Sequence, residues 1–253
     1  MFVRLQGVTK SVTRSLLWPR WLPQLLPSSC VLCGQTDRNA VCEPCHEQHF
    51  TTRPRRCVQC AMPIPTTAKE IRCGDCLKNK PAFDATIVVA DYAAPADQLV
   101  LALKFGAKLP LAPVMAGMLR DAAVHYTDRG LALPTLLTAV PLGKSRLQER
   151  GFNQSLEIAR PLSRQLNIPL EPLLVRLRDT LAQATLPTEE RRRNISRAFV
   201  VPTQTMNYVR GAHIGVIDDV ITTGETLNEI ASTLKRFGAR RVTNIVFART
   251  ISK

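Results

Sequence analysis

The stretch Val216-Ile-Asp-Asp-Val-Ile-Thr-Thr-Gly-Glu-Thr226 decides how the chain is read. Ala212 to Val220 is an apolar run of strand length whose carboxyl end carries two adjacent acids, Asp218 and Asp219. Glu225 to Phe237 then has helical spacing, with Gly238 as its terminator. Strand, tight turn and helix in this order put the backbone N–H groups of Thr222, Thr223, Gly224, Glu225 and Thr226 at the positive end of a helix, which suits a phosphate. Gly224 permits close approach and the threonine hydroxyls add donors. Asp218 and Asp219, one step earlier, are placed to accept hydrogen bonds from sugar hydroxyls beside that phosphate. An ordinary capped helix start would leave the acidic doublet unexplained.

Working outward, Thr86 to Tyr92 reads as a buried strand and Asp97 to Phe105 as a short helix ended by Gly106. Leu111 to Ala123 has helical spacing, Leu136 to Val140 is a strand, Ser155 to Leu166 a helix, and Arg241 to Ala248 a strand. Strands alternating with helices predict an α/β fold, a mostly parallel sheet with helices on both faces. After the strand ending at Val140 come Lys144, Arg146, Arg150 and Asn153, donors suited to a second anionic group, although such a run is equally a solvated face. Gly143-Lys144-Ser145 echoes a Walker A ending, but Thr138 stands where that loop needs its first glycine.

All eight cysteines lie between Cys30 and Cys76, as the pairs Cys30/Cys33, Cys42/Cys45, Cys57/Cys60 and Cys73/Cys76. Two thiolates three positions apart can face one ion, and two such pairs complete a tetrahedral zinc site, so four pairs predict two structural Cys₄ zinc sites. A disulfide within Cys-x-x-Cys closes almost no loop, which makes the disulfide or redox reading the poorer one. Pairing along the chain gives two consecutive ribbons; an interleaved pairing has the same spacing. His46 and His49 lie beside Cys45 as alternative ligands or as a solvated pair. A segment this short buries little apolar surface, so the metal supplies its folding energy.

The chain has 253 residues, 45% of them apolar, enough for a packed interior. Its net charge of +14 points to polyanionic partners, phosphates or nucleic acid. Residues 1–80 and the remainder each hold +7, and two closed Cys₄ sites would bring the first part to +3. Arg53, Arg55 and Arg56 are its one dense basic cluster, a candidate nucleic-acid contact or a solvated face. Pro19, Arg20 and Pro23 break the most apolar early segment, so no transmembrane segment or signal peptide is expected and a cytoplasmic location is. The composition divides the chain into a basic extension over 1–29, with Trp18 and Trp21 packed on the zinc module or on a membrane surface. A double zinc ribbon over 30–80 follows, then the α/β domain over 81–253.

The segment around Asp218 resembles the 5-phosphoribosyl 1-pyrophosphate (PRPP) loop of type I phosphoribosyltransferases, an acidic pair followed by Thr-Gly-x-Thr. Val140-Pro-Leu, Arg150-Gly-Phe-Asn-Gln154, Arg178 with Thr180 and Gln183, Arg193-Asn194 and Ala198-Phe199 narrow the match to the ComF/GntX family, whose members carry an N-terminal Cys-x-x-Cys module. The resemblance covers roughly residues 30–250. It implies a PRPP-binding domain, with Asp218 and Asp219 in the catalytic role, Thr222 to Thr226 on the phosphoribosyl group, and Lys144, Arg146, Arg150 and Asn153 on the pyrophosphate side. It also implies Mg²⁺ bound with PRPP, and a mobile loop over Arg176 to Arg197. Two departures are a glutamate, Glu225, at the variable position of the loop, and the four residues after Arg249, too few for an acceptor hood, which must then come from Tyr92 to Lys108 or the zinc module. Two functions share this pocket: Mg²⁺-dependent transfer of a phosphoribosyl group to an unidentified acceptor, or PRPP or nucleotide binding in a protein of DNA uptake or processing. A zinc-dependent redox or regulatory protein is a third reading; it requires reactive thiols and no PRPP affinity.

Overall fold

In a computed structural model, which describes residues 28–177 and 198–251, four parallel strands form the central sheet. The chain begins with a two-residue ribbon, β1 (Ser28–Ser29) and β2 (Thr36–Asp37), and two short helices, α1 (Glu43–Phe50) and α2 (Gly74–Asn79). There follow β3 (Ala85–Asp91), α3 (Ala96–Lys104), α4 (Leu111–Asp128), β4 (Leu136–Ala139), α5 (Lys144–Arg150) and α6 (Gln154–Leu166). A small antiparallel pair, β5 (Val175–Arg176) and β6 (Phe199–Val200), leads through α7 (Met206–Val209) to β7 (His213–Ile221), α8 (Glu225–Arg236) and β8 (Arg241–Arg249). The sheet order is β3-β8-β7-β4.

The predicted α/β class and its elements are observed, with ends moved by a residue or so. Two differences have physical reasons. Helix α4 runs on to Asp128 because the buried stripe of Met115, Leu119, Ala122 and Ala123 is prolonged by Tyr126. Helix α5 was not expected, because it buries none of its residues and so carries no apolar period.

Two cores lie on opposite faces of the sheet. On one, α3, α4 and α6 cover Ile217, Ile245 and Phe247; on the other, α8 covers Val216, Val242 and Val246. The cysteine-rich segment straddles the β3 edge and joins both. Its first half contributes Cys30, Cys42, Cys45 and Phe50 to the α4 face, where Phe50 meets Phe247 at 6.2 Å between ring centroids. Its second half contributes Cys57, Cys60 and Cys76 to the α8 face. Between them Thr86 of β3 donates its amide to Val58 O (3.0 Å) and its hydroxyl to Gln59 O (2.6 Å), while Gln59 Nε2 donates to Phe83 O (2.9 Å). An edge strand that would otherwise present open hydrogen-bonding groups is thus covered.

In β7, a Cβ on Gly215 would lie 2.6 Å from Leu137 Cδ2 and 2.9 Å from Pro134 Cγ. Gly215→Ala is therefore expected to destabilise the fold by about 1 to 3 kcal/mol through overpacking, read as a lower urea midpoint at unchanged slope; an unaltered midpoint would show that β4 yields freely there.

Candidate functional site

The carboxyl ends of β4 and β7, the start of α6 and the loop before α8 surround a cavity of about 260 Å³. Asp218, Asp219, Thr222, Thr226, Arg146 and Arg150 all line it, together with Tyr92, Lys104, Ser155 and Arg176. Four basic and two acidic side chains give this wall a positive surplus. Ligands in open α/β sheets sit at this end of the strands.

The acidic doublet is held from below. Asp219, 3% exposed, pairs with Lys104 Nζ at 2.6 Å and accepts the Val220 amide at 2.9 Å. Asp218 is partly buried and accepts the Ser155 hydroxyl (2.8 Å) and the Asp219 amide (3.0 Å) on Oδ1. Burial first, then the Asp219 carboxylate, push the Asp218 carboxyl up to about 7, against the opposing pull of Lys104 and Ser155. Lys104 and Ser155 were not singled out from the sequence. The signal for Lys104 was its spacing: it follows the buried Ala96 and Val100 at four-residue steps, so it continues the buried row of α3 into the site.

The loop after the doublet has the expected form. Gly224 takes the left-handed conformation (φ 84°) as N-cap of α8, with no side chain capping the helix. Thr222 and Thr223 are exposed. Thr223, Gly224 and Glu225 face a second cavity, of about 160 Å³, on the ribbon side. The basic candidates divide. Arg146 and Arg150 reach the main cavity; Arg150 lies over the Phe105 ring at 5.1 Å, donates to Gln154 Oε1 at 3.1 Å, and keeps its Nε buried without a partner. Lys144 is exposed at the start of α5, and Asn153 caps α6, accepting the Ser155 amide (3.0 Å) and donating to Val140 O (3.0 Å). Neither is among the residues lining the cavity. Asn153 instead ties the Val140 loop to α6. Arg178, Thr180, Gln183, Arg193 and Asn194, and the rest of the expected closing loop after Leu177, lie outside the described residues, as do Trp18 and Trp21.

The eight cysteines form two sets, Cys30/Cys33/Cys42/Cys45 and Cys57/Cys60/Cys73/Cys76, the sulfurs of each within 4.8 Å of one another. The pairing is sequential. Sulfurs at about 2.3 Å from a tetrahedral zinc ion lie about 3.8 Å apart, and Cys33 Sγ to Cys42 Sγ is 3.7 Å, Cys60 Sγ to Cys73 Sγ 3.5 Å. Both sets fit zinc. Amides of Cys42 and Cys73 point at Cys30 Sγ and Cys57 Sγ, as thiolate ligands require. His46 and His49 pack on Phe50 and belong to neither set.

Residues 153–253 match the model of the phosphoribosyl transferase domain and residues 21–77 that of the double zinc ribbon domain. The chain is 35% identical over 231 residues to DNA utilization protein YhgH of Escherichia coli (strain K12), covering 89% of this chain and 99% of the relative. It is 32% identical over 210 residues to competence protein F of Haemophilus influenzae, covering 81% and 88%. The chain belongs to the ComF/GntX family. Among solved structures it resembles glutamine PRPP amidotransferase from B. subtilis (TM-score 0.35, 18% identity, 53% of this chain and 25% of that one). It also resembles purine phosphoribosyltransferase from Pyrococcus horikoshii (TM-score 0.30, 18% identity, 64% and 78%). Among the described residues no helix is long and apolar enough to cross a membrane.

Zinc analysis of the purified chain is expected to return two ions per molecule, and chelation to release residues 30–80 from the sheet edge, seen as loss of hydrogen-exchange protection at Thr86; a stoichiometry below one would refute the paired ribbons. Because the Asp218 carboxyl is raised in the fold, its contribution to stability is present at low pH and lost as the pH rises through about 7. Asp218→Asn is expected to raise the melting temperature at pH 8 by about 2 to 4 °C, with a smaller gain at pH 5.5; a gain independent of pH would assign the effect to something other than titration.

Proposed function

We propose that the cavity binds PRPP with Mg²⁺ and that the protein transfers its phosphoribosyl group to a nucleophilic acceptor. The observation that carries this reading is the convergence of Asp218 and Asp219, Thr222 and Thr226, and Arg146 and Arg150 on one cavity. Three chemistries are thereby in reach of one ligand: hydroxyl acceptors, phosphate donors and a cationic wall.

In this reading Thr222, Thr223, Gly224 and Thr226 hold the 5′-phosphate at the start of α8, with Glu225 turned away from it. Asp218 and Asp219 accept hydrogen bonds from the ribose hydroxyls and fix C1 between acceptor and leaving group. Arg146 and Arg150 receive the pyrophosphate; the buried, unpartnered Nε of Arg150 is a donor whose cost a phosphate oxygen would relieve. The carboxylates of Asp218 and Asp219 would hold Mg²⁺ through its waters, and the ion when bound supplies positive charge to the departing pyrophosphate. The acceptor's lone pair forms the new bond to C1 as pyrophosphate leaves with the electrons of the old one, and the acceptor proton passes to solvent. Tyr92 and Lys104 stand on the acceptor side, and Lys144 and Asn153 support the pyrophosphate wall from outside and beneath. This division of labour goes with the partition of the chain near residue 80 and with a cytoplasmic location.

The relatives' names, DNA utilization and competence, favour a second reading in which the same pocket binds PRPP or a nucleotide without turnover while the protein serves DNA uptake or processing. Pyrophosphate release from Mg²⁺-PRPP across a panel of bases and amines separates the two: release with any acceptor supports the transferase, and none with DNA binding intact after Asp218→Asn/Asp219→Asn supports the binding module. Asp218→Ala with Asp219→Ala is expected to weaken Mg²⁺-PRPP binding by about 2 to 3 kcal/mol, the worth of charge-assisted hydrogen bonds to the ribose. Calorimetry showing unchanged affinity would remove the ribose role.

A further inference from the structure

We propose that Arg249 is a positioning residue that ties the second Cys₄ zinc site, and not the first, to the loop over Thr222 to Thr226. The inference rests on the phosphate reading of that loop and adds the means by which it is held.

Arg249 ends β8, paired in register with Ile221, the last residue of β7 before the loop. It is only 7% exposed. Its Nη1 donates to Thr222 O at 2.7 Å, and its Nε approaches Met62 Sδ, inside the second ribbon, at 3.3 Å. A buried guanidinium needs negative charge nearby. No carboxylate among the described residues forms an ion pair with Arg249; Cys60 and Cys76 of the second set line the same cavity as Arg249. Four thiolates around one dication would carry a formal charge of −2, so zinc bound at the second set would supply the negative charge beside Arg249.

Cys60, Cys76 and Arg249 line a cavity of about 160 Å³ together with Thr223, Gly224 and Glu225. The Arg249 bond to Thr222 O reaches the start of the loop, and the Ala82 amide, donated to Asn228 Oδ1 at 2.7 Å, ties the ribbon linker to the first turn of α8. Fixing the Thr222 carbonyl fixes the peptide plane whose N–H belongs to Thr223, and with it the direction of the donors that follow. The first Cys₄ set packs on the opposite face, in the core with α4, and no hydrogen bond among the described residues joins it to the loop.

The test uses ribose 5-phosphate and inorganic pyrophosphate as separate probes, titrated calorimetrically against the full chain with its zinc content measured. Arg249→Met is expected to weaken ribose 5-phosphate binding about tenfold, the worth of one charge-assisted hydrogen bond, and to leave pyrophosphate binding within twofold. Arg249→Lys, which keeps the charge and loses the planar fork, is expected to fall between. Cys73→Ser, in the second set, should reproduce the selective loss, and Cys33→Ser, in the first, should not. Equal loss of both probes in the Arg249 variants, equal effects of the two cysteine variants, or unchanged ribose 5-phosphate affinity would each overturn the positioning role. A wild-type chain that binds neither probe would instead overturn the PRPP reading itself.

Discussion

Two carboxylates set side by side at the end of a buried strand repel each other and lose their water, and what surrounds Asp218 and Asp219 answers that cost. Lys104 reaches in from the last turn of α3 to Asp219, the Ser155 hydroxyl from the first turn of α6 to Asp218, and the strand's own amides supply two more donors. Those contacts dictate where α3 and α6 can sit. Helix α6 is in turn started by Asn153, which also grips the carbonyl of Val140, so β4, the loop after it and the basic side chains of α5 are placed by the same chain of contacts. The doublet is thus a costly feature of the sheet from which the cavity wall is built outward.

The cysteine-rich segment has a second role besides folding around metal. It lacks enough apolar surface for a core of its own, and the structure resolves this by dividing it across the two faces of the sheet. Cys45 and Phe50 complete the core with α4 and Phe247, while Cys57, Cys60 and Cys76 complete the core with α8 and Phe83. The Val58 carbonyl between them occupies the Thr86 amide on the β3 edge. The ribbons are therefore an extension of the α/β core, and the second brings its thiolates behind the loop that follows β7.

Much of this was legible along the chain, and the missing parts share one cause. The strand and loop over Val216 to Thr226, the four Cys-x-x-Cys pairs and the alternation of strands and helices are local patterns, and each took its expected form. Sequential pairing of the cysteines, left open by spacing, needed the ribbon geometry. Lys104, Ser155 and Arg249 act across sequence separations of more than 25 residues, through contacts that no local period announces. Asn153 and Lys144 were read as ligands because donors following a strand suit an anion; the structure uses the first as a helix cap and leaves the second exposed outside the cavity. The exposed helix α5 escaped for the opposite reason, having no buried face to set a period.

The charge arrangement bears on which polyanion the cavity suits. A net charge of +14 draws phosphates of any kind, and a basic wall of Arg146, Arg150 and Arg176 would hold them, Lys104 being taken up by Asp219. The acidic doublet in the middle of that wall discriminates. A nucleic-acid backbone offers evenly spaced negative charge and would meet Asp218 and Asp219 as repulsion, whereas a phosphorylated sugar accompanied by a divalent cation presents hydroxyls and positive charge to the carboxylates and phosphate to the arginines. Arg53, Arg56, His125 and Arg129 line a separate cavity, where Arg56 is ion-paired with Asp91 at 2.6 Å.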